Sequence, residues 1–272
     1  MSRRNIVLLI HGYGEHIFRS QYGKLTQYLT ELGWEVRNHI IREHWSGDPG
    51  DTGHSYYYDN FSVLIQDLLQ QVYEIKEELA DEDVRIVLVG KSLGGLISIR
   101  CLQELPHELE RTIAGAVTIA PCLEIGKKYD TPVKRALAYL MIDYLGFTWF
   151  YSPFDELLPE DVTKQTEDYL SDPHILSRGV WASVAVATRN ETFIAREKRD
   201  NLRTRLLILH GTDDKICECS ASELFSRQTS QFTEIETYPD TAHDLLDEPE
   251  PVIEQMYNRI ALFLRPYNQN EP

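Results

Sequence analysis

Four short runs rich in apolar residues, Ile6–Ile10, Val84–Val89, Ala114–Ile119 and Leu206–Leu209, set the tightest limit on what this chain can fold into. Strands buried on both faces of a parallel sheet read in this way, whereas half-exposed strands alternate. Helical spacing fills the intervals. Tyr22, Leu25, Tyr28, Leu29 and Leu32 recur on one stripe, and Phe61, Leu64, Ile65, Leu68, Leu69, Val72, Ile75 and Leu79 fall on one face of a long helix that Asp59 or Asn60 caps. Alternating strand and helix predict an α/β fold with a mostly parallel sheet and helices on both faces. Weaker runs at Glu35–Ile41 and Phe232–Tyr238 add strands, and a last helix starts at Pro251 and stops before Pro266.

The second of those runs ends in Gly90-Lys91-Ser92-Leu93-Gly94, a G-x-S-x-G turn between a buried strand and an apolar helix. The turn is so tight that glycine is needed two residues either side of the serine, which projects its hydroxyl from the sheet edge. Gly90-Lys91-Ser92 also imitates the end of a phosphate-binding loop. That motif needs a glycine five residues before its Gly-Lys pair, and Arg85 stands there inside a strand. A nucleophilic aspartate is likewise missing from the turn.

A serine hydroxyl is a weak nucleophile until a base takes its proton, and the base needs a partner to fix its tautomer. Downstream, Asp213 and Asp214 follow the strand Leu206–Leu209, and His243 lies on the loop before the last helix, so that Ser92, an acid and His243 come in the order the turn requires. An oxyanion needs preorganised N–H donors. His11-Gly12-Tyr13-Gly14-Glu15-His16 leaves the first strand, and the backbone N–H groups of Tyr13 and Leu93 are the expected donors. Glu15 and His16 either contact the leaving alcohol or brace this turn.

Between the third and fourth runs, residues 122–199 break the regularity and read as a helical insertion, dividing the core into 1–121 and 200–272. Apolar spacing holds through Val133, Leu137, Leu140, Met141 and Tyr144 until Gly146. No strand-like run follows. An aromatic group on an expected loop, including Phe147, Trp149 and Phe150, reads equally as core packing or as a hydrophobic substrate wall.

The formal net charge of −16 would repel phosphate backbones and excludes nucleic acid as a natural partner. No stretch reaches the roughly 18 apolar residues of a membrane span, so lipid contact would be peripheral, through the insertion. The N-terminal apolar run is too short for a signal-peptide core, which predicts a cytoplasmic location and free thiols at Cys101, Cys122, Cys217 and Cys219. No metal or organic cofactor is expected, and no reading of oligomeric state emerges.

The oxyanion segment, Gly90-Lys91-Ser92-Leu93-Gly94-Gly95, Gly211-Thr212-Asp213-Asp214 and Ala242-His243 together resemble the monoacylglycerol lipase and lysophospholipase group of α/β hydrolases. Tyr169-Leu170-Ser171-Asp172-Pro173 and Asp214-Lys215-Ile216-Cys217 resemble further passages of that group. The resemblance puts the acid on Asp214, makes the insertion a cap that touches membranes in some members, and implies hydrolysis of small-molecule acyl esters without a cofactor. Two features depart from it. Only Met1–Arg4 precede the first strand where the group has a hairpin, so a smaller sheet is expected. After the second strand, His39-Ile40-Ile41-Arg42-Glu43-His44-Trp45-Ser46-Gly47 replaces an Asp-x-Arg-Gly-x-Gly-x-Ser run. Short-chain carboxylesterases, thioesterases, proline-aminopeptidase-like enzymes and non-catalytic binding proteins of the same fold are the alternatives.

Overall fold

The structure is a computed structural model that describes residues 3–48, 51, 55–143, 149–150, 172–176 and 180–267. All six expected strands are present: β1 (Arg3–Ile10), β2 (Glu35–His39), β3 (Asp83–Lys91), β4 (Ile113–Ile119), β7 (Arg205–Gly211) and β8 (Thr233–Tyr238). Two short strands interposed between β4 and β7, β5 (Trp149–Phe150) and β6 (Val180–Trp181), form a separate antiparallel pair. This corrects the expectation of an insertion without strands, in which Trp149 and Phe150 lay on a loop. Two residues are too short a run for alternation to register.

The six-stranded sheet has the order β2-β1-β3-β4-β7-β8, and every neighbouring pair is parallel. It carries helices α1 (Ser20–Glu31), α2 (Ser62–Glu78), α3 (Leu93–Gln103), α4 (Pro132–Asp143), α5 (Ala182–Glu197), α6 (Cys219–Gln228) and α7 (Glu250–Leu264). Side-chain alternation along β1 sorts these into two layers. Ile6, Leu8 and Ile10 point to the layer holding Leu68 of α2, Leu96 of α3 and Phe225 of α6, and Val7 and Leu9 to the layer holding Leu25 of α1 and Met256 of α7. All these side chains are buried. Removing them from water is the main favourable term in folding and explains why the central runs are apolar throughout.

The N-cap of α2 is Phe61, without a side-chain capping bond, rather than the expected Asp59 or Asn60, although the Asn60 side-chain oxygen, one residue earlier, accepts the Ser62 N–H at 3.0 Å. Because all six strands run the same way, the loops after β1, β3, β4, β7 and β8 gather at one edge of the sheet. In open α/β sheets that edge is where ligands bind. No helix of the described residues is long and apolar enough to cross a membrane.

Candidate active site

Ser92 sits where β3 turns into α3, with φ of 53°. A non-glycine residue in that region is strained, and the surrounding backbone must hold it there. Two close approaches do so. A Cβ on Gly90 would stand 2.3 Å from the Gly94 oxygen, and one on Gly94 would stand 2.5 Å from the carbonyl oxygens of Ile10 and His11. The Ser92 N–H donates to Ile119 O at 2.9 Å, and its carbonyl accepts from Leu96 N at 3.1 Å and Cys122 N at 3.2 Å. The spacing of the motif therefore encodes contact between β3, α3 and the oxyanion turn.

Asp214 is buried on the loop after β7, and its four acceptor positions are all used. His243 Nδ1–H donates to Oδ2 at 2.7 Å and His210 Nε2–H to the same oxygen at 3.1 Å. Oδ1 accepts the backbone N–H groups of Ile216 at 2.8 Å and Cys217 at 2.9 Å. Burial opposes its ionisation, yet the His243 charge and the two imidazole hydrogen bonds outweigh burial and hold the carboxyl well below the usual carboxylate range. Asp213, by contrast, is exposed and pairs with Lys215. Only one of the two adjacent aspartates therefore faces the histidine, and it is the one the family resemblance indicated.

With Nδ1 committed to Asp214, His243 has Nε2 left for the cavity of about 300 Å3 that it lines together with Ser92, Tyr13 and Leu93. No hydrogen bond joins Ser92 to His243 directly. The neighbouring Cys122 thiol, together with burial, raises the Cys217 thiol well above its ordinary value. All four cysteines are free. Neither Tyr13 N–H nor Leu93 N–H is spent on a hydrogen bond among the described residues, whereas Gly12 N–H and Gly14 N–H on either side of Tyr13 are, to Glu15 Oε1 at 2.7 Å and to His44 Nε2 at 3.1 Å. The two expected oxyanion donors thus stand unspent beside the nucleophile candidate.

The segment that departs from the family pattern turns out to brace this turn. Ile41 N–H donates to His11 Nε2 at 3.1 Å, so the proton of His11 lies on Nδ1 and goes to Gly12 O at 2.8 Å. His44 accepts from Gly14 through Nε2 and therefore donates from Nδ1 to Arg42 O at 3.0 Å. Two neutral imidazoles are needed here. Burial first, and then the neighbouring His44, lower the His11 pKa to about 3, which keeps it neutral. Further along the same loop, Tyr56 O accepts Tyr13 OH at 3.0 Å, and Ser55 O accepts Trp181 Nε1 of the insertion at 2.7 Å.

Glu15 and His16 are both buried. Glu15 lines the cavity floor, but its oxygens already accept from Gly12 N, Tyr22 OH, Arg19 and Lys91. His16 accepts Phe18 N–H at 3.2 Å and donates Nε2–H to Asp172 at 2.8 Å, and it does not line the cavity. Both placements correspond to a brace of the turn. Phe147 lies outside the described residues, and Trp149 and Phe150 form β5. Missed by sequence reasoning were Tyr58, Tyr129 and Ile216, which add apolar surface to the cavity, and Asp130, Arg135 and Arg189, which meet at its insertion side.

A family model, Hydrolase_4, described as "Serine aminopeptidase, S33", matches residues 1–250. The chain belongs to this family. The chain is 25% identical over 256 residues to a monoglyceride lipase of Rattus norvegicus, covering 94% of this chain and 80% of that one. It is 26% identical over 257 residues to a monoacylglycerol lipase of Mycolicibacterium smegmatis, covering 91% and 84%. Its fold matches that of a soluble variant of monoglyceride lipase from Saccharomyces cerevisiae with a TM-score of 0.81 at 21% identity, covering 98% of this chain and 88% of the other. The α/β-hydrolase fold is thereby established, and the comparisons together support a carboxylic ester hydrolase.

Proposed function

We propose that this Hydrolase_4 protein cleaves carboxylic acyl esters of the monoacylglycerol or lysophospholipid kind through an acyl-enzyme on Ser92. The observation that carries the reading is the buried Asp214–His243 hydrogen bond of 2.7 Å, whose imidazole opens on the same apolar cavity as Ser92 and the Tyr13 and Leu93 amides. Ser92 Oγ attacks the ester carbonyl as His243 Nε2 takes its proton, and Tyr13 and Leu93 N–H groups receive the oxyanion. Collapse expels the alcohol, protonated by His243. Water, deprotonated by the same nitrogen, then releases the acid and restores Ser92. Asp214 stays ionised throughout and stabilises the imidazolium. Hydrogen bonds between nucleophile and base are commonly long or absent in a ligand-free site and tighten around the substrate.

Residues 122–199 act in this reading as a cap. The start of the segment is fastened to the acid loop, Gly126 N–H donating to Ile216 O at 2.8 Å and Glu218 N–H to Glu124 O at 2.9 Å. On α4, Val133, Leu137 and Leu140 face outward beside Lys127, Lys128 and Lys134, which fits a helix resting on a lipid aggregate. A peptidase acting on a free amine needs an uncommitted carboxylate in the cavity. Among the described lining residues Glu15 and Asp244 are paired with Lys91, and Asp130 with Arg135 and Arg189. That commitment favours esters.

A release assay over p-nitrophenyl esters of rising acyl length, with a monoacylglycerol alongside, tests the substrate class. Turnover should rise from acetyl to medium or long chains and include the monoacylglycerol. A maximum at acetyl with no monoacylglycerol turnover would move the protein to the short-chain carboxylesterases.

A further inference from the structure

Lys91 occupies the variable position before Ser92, and its side chain is 5% exposed. Its ammonium lies 3.1 Å from Glu15 Oε2 and 2.9 Å from Asp244 Oδ2. Glu15 holds Gly12 N–H, one residue from the Tyr13 donor, and Asp244 is the residue after His243. Arg19 completes the cluster, 2.6 Å from Glu15, 3.5 Å from Asp244 and 3.1 Å from Asp247.

We propose that Lys91 is a positioning residue for the reaction: by bridging Glu15 and Asp244 it fixes the oxyanion turn and the His243 loop at one spacing around Ser92. The inference rests on the Ser92 reading given above. Asp244 depends on Lys91 more than Glu15 does. Glu15 keeps Gly12, Tyr22 and Arg19 as close donors, whereas, among the described residues, Asp244 Oδ1 is buried without a hydrogen-bond partner and the only other cation on Oδ2 is Arg19 at 3.5 Å. Without the ammonium, a buried carboxylate next to the base must swing or draw in water, and the imidazole moves with it. Among the described residues, the charged groups of the cluster around Lys91 are Glu15 and Arg19 from the β1–α1 side and Asp244 and Asp247 from the histidine loop, three carboxylates against two cations counting Lys91 itself, with the neutral Tyr22 hydroxyl donating to Glu15.

The test compares Lys91→Met, Lys91→Arg and Asp244→Asn with wild type, competent sites being counted by stoichiometric fluorophosphonate labelling. Lys91→Met should lower kcat about 10²-fold with KM within about twofold, because misplacement of the reacting groups costs turnover rather than binding. The acid limb of its pH–rate profile should move to higher pH, since an uncompensated carboxylate beside the imidazole favours the charged base. Lys91→Arg should recover about tenfold of the loss by restoring the cation. A lowered melting temperature with kcat per labelled site and pH profile unchanged would overturn the proposal and leave Lys91 a structural ion-pair member only. Should Lys91→Met fail to fold, Asp244→Asn decides: kcat about tenfold down supports the bridge, and wild-type kcat refutes it. Failure of wild type itself to label at Ser92 would instead overturn the underlying reading.

Discussion

On the sheet side of the cavity, Tyr13, Ser92 and His243 stand on three loops locked to one another by backbone amides and buried charges, such as Gly12 N–H on Glu15 at 2.7 Å and Lys91 on Asp244 at 2.9 Å. On the insertion side, Asp130 just ahead of α4, Arg135 of α4 and Arg189 of α5 form ion pairs that are partly exposed side-chain contacts, Arg189 to Asp130 at 3.0 Å and Arg135 to Asp130 at 3.1 Å. The first side has no freedom to rearrange without leaving a buried group unsatisfied, at a cost of roughly 3–5 kcal/mol for a broken buried pair. The second side can shift while solvent compensates its charges. Chemistry is therefore expected to depend on the sheet side and substrate binding on the insertion side.

Substitution on the sheet side should show this most strongly. Asp214→Asn preserves shape but offers His243 the wrong hydrogen-bonding pattern, and kcat should fall about 10⁴-fold with KM little changed. Steady-state kinetics on folded protein check it, and a loss confined to KM would break the contrast. Gly12→Ala comes next. The added Cβ would stand 2.5 Å from Glu15 Oε1 and 3.3 Å from Ser92 Cβ, pushing the Tyr13 amide off line, so kcat should drop about 10²-fold, as for loss of one oxyanion donor.

The insertion side predicts the opposite signature. Arg189→Ala should raise KM about threefold and leave kcat within about twofold, measured on a medium-chain ester. Equal losses in kcat would show that this side also shapes the transition state.

The smallest effect lies at the edge of the charged cluster. Burial first and then Asp244 push the Asp247 carboxyl up to about 6, so folding favours its protonated form and stability falls as pH rises through that value. Asp247→Asn has no proton to lose. Its melting temperature relative to wild type should therefore climb between pH 5 and pH 7, and a constant difference across that interval would remove the surplus carboxylate from the account.

The same contrast explains what could be read without a structure. The four inner strands were legible because each is buried on both faces and its composition reports that directly, whereas the edge strands β2 and β8, with half-buried and exposed positions, left only weaker runs. The nucleophile turn was legible because Gly90 and Gly94 answer to local close approaches. Helix α6 was not, since it buries only a narrow stripe, with Ala221 and Phe225 as its apolar contribution. Helix α5, inside the segment read as helical, was not singled out because its opening Ala182-Ser183-Val184-Ala185-Val186-Ala187 carries small residues and valines without a helical stripe of large apolar ones. Lys91 read as an imitation of a phosphate loop because its partners Glu15 and Asp244 are 76 and 153 positions away. No local pattern announces a buried ion pair of that span. The histidine tautomers that hold the oxyanion turn depend in the same way on a segment, Ile41 to His44, whose sequence departs from the family pattern.

The most direct test of the central claim is a fluorophosphonate probe followed by peptide mass analysis. Wild type should carry one adduct on Ser92, Ser92→Ala should carry none, and His243→Ala should label far more slowly. An adduct that persists in Ser92→Ala, or labelling that ignores the loss of His243, would contradict the account.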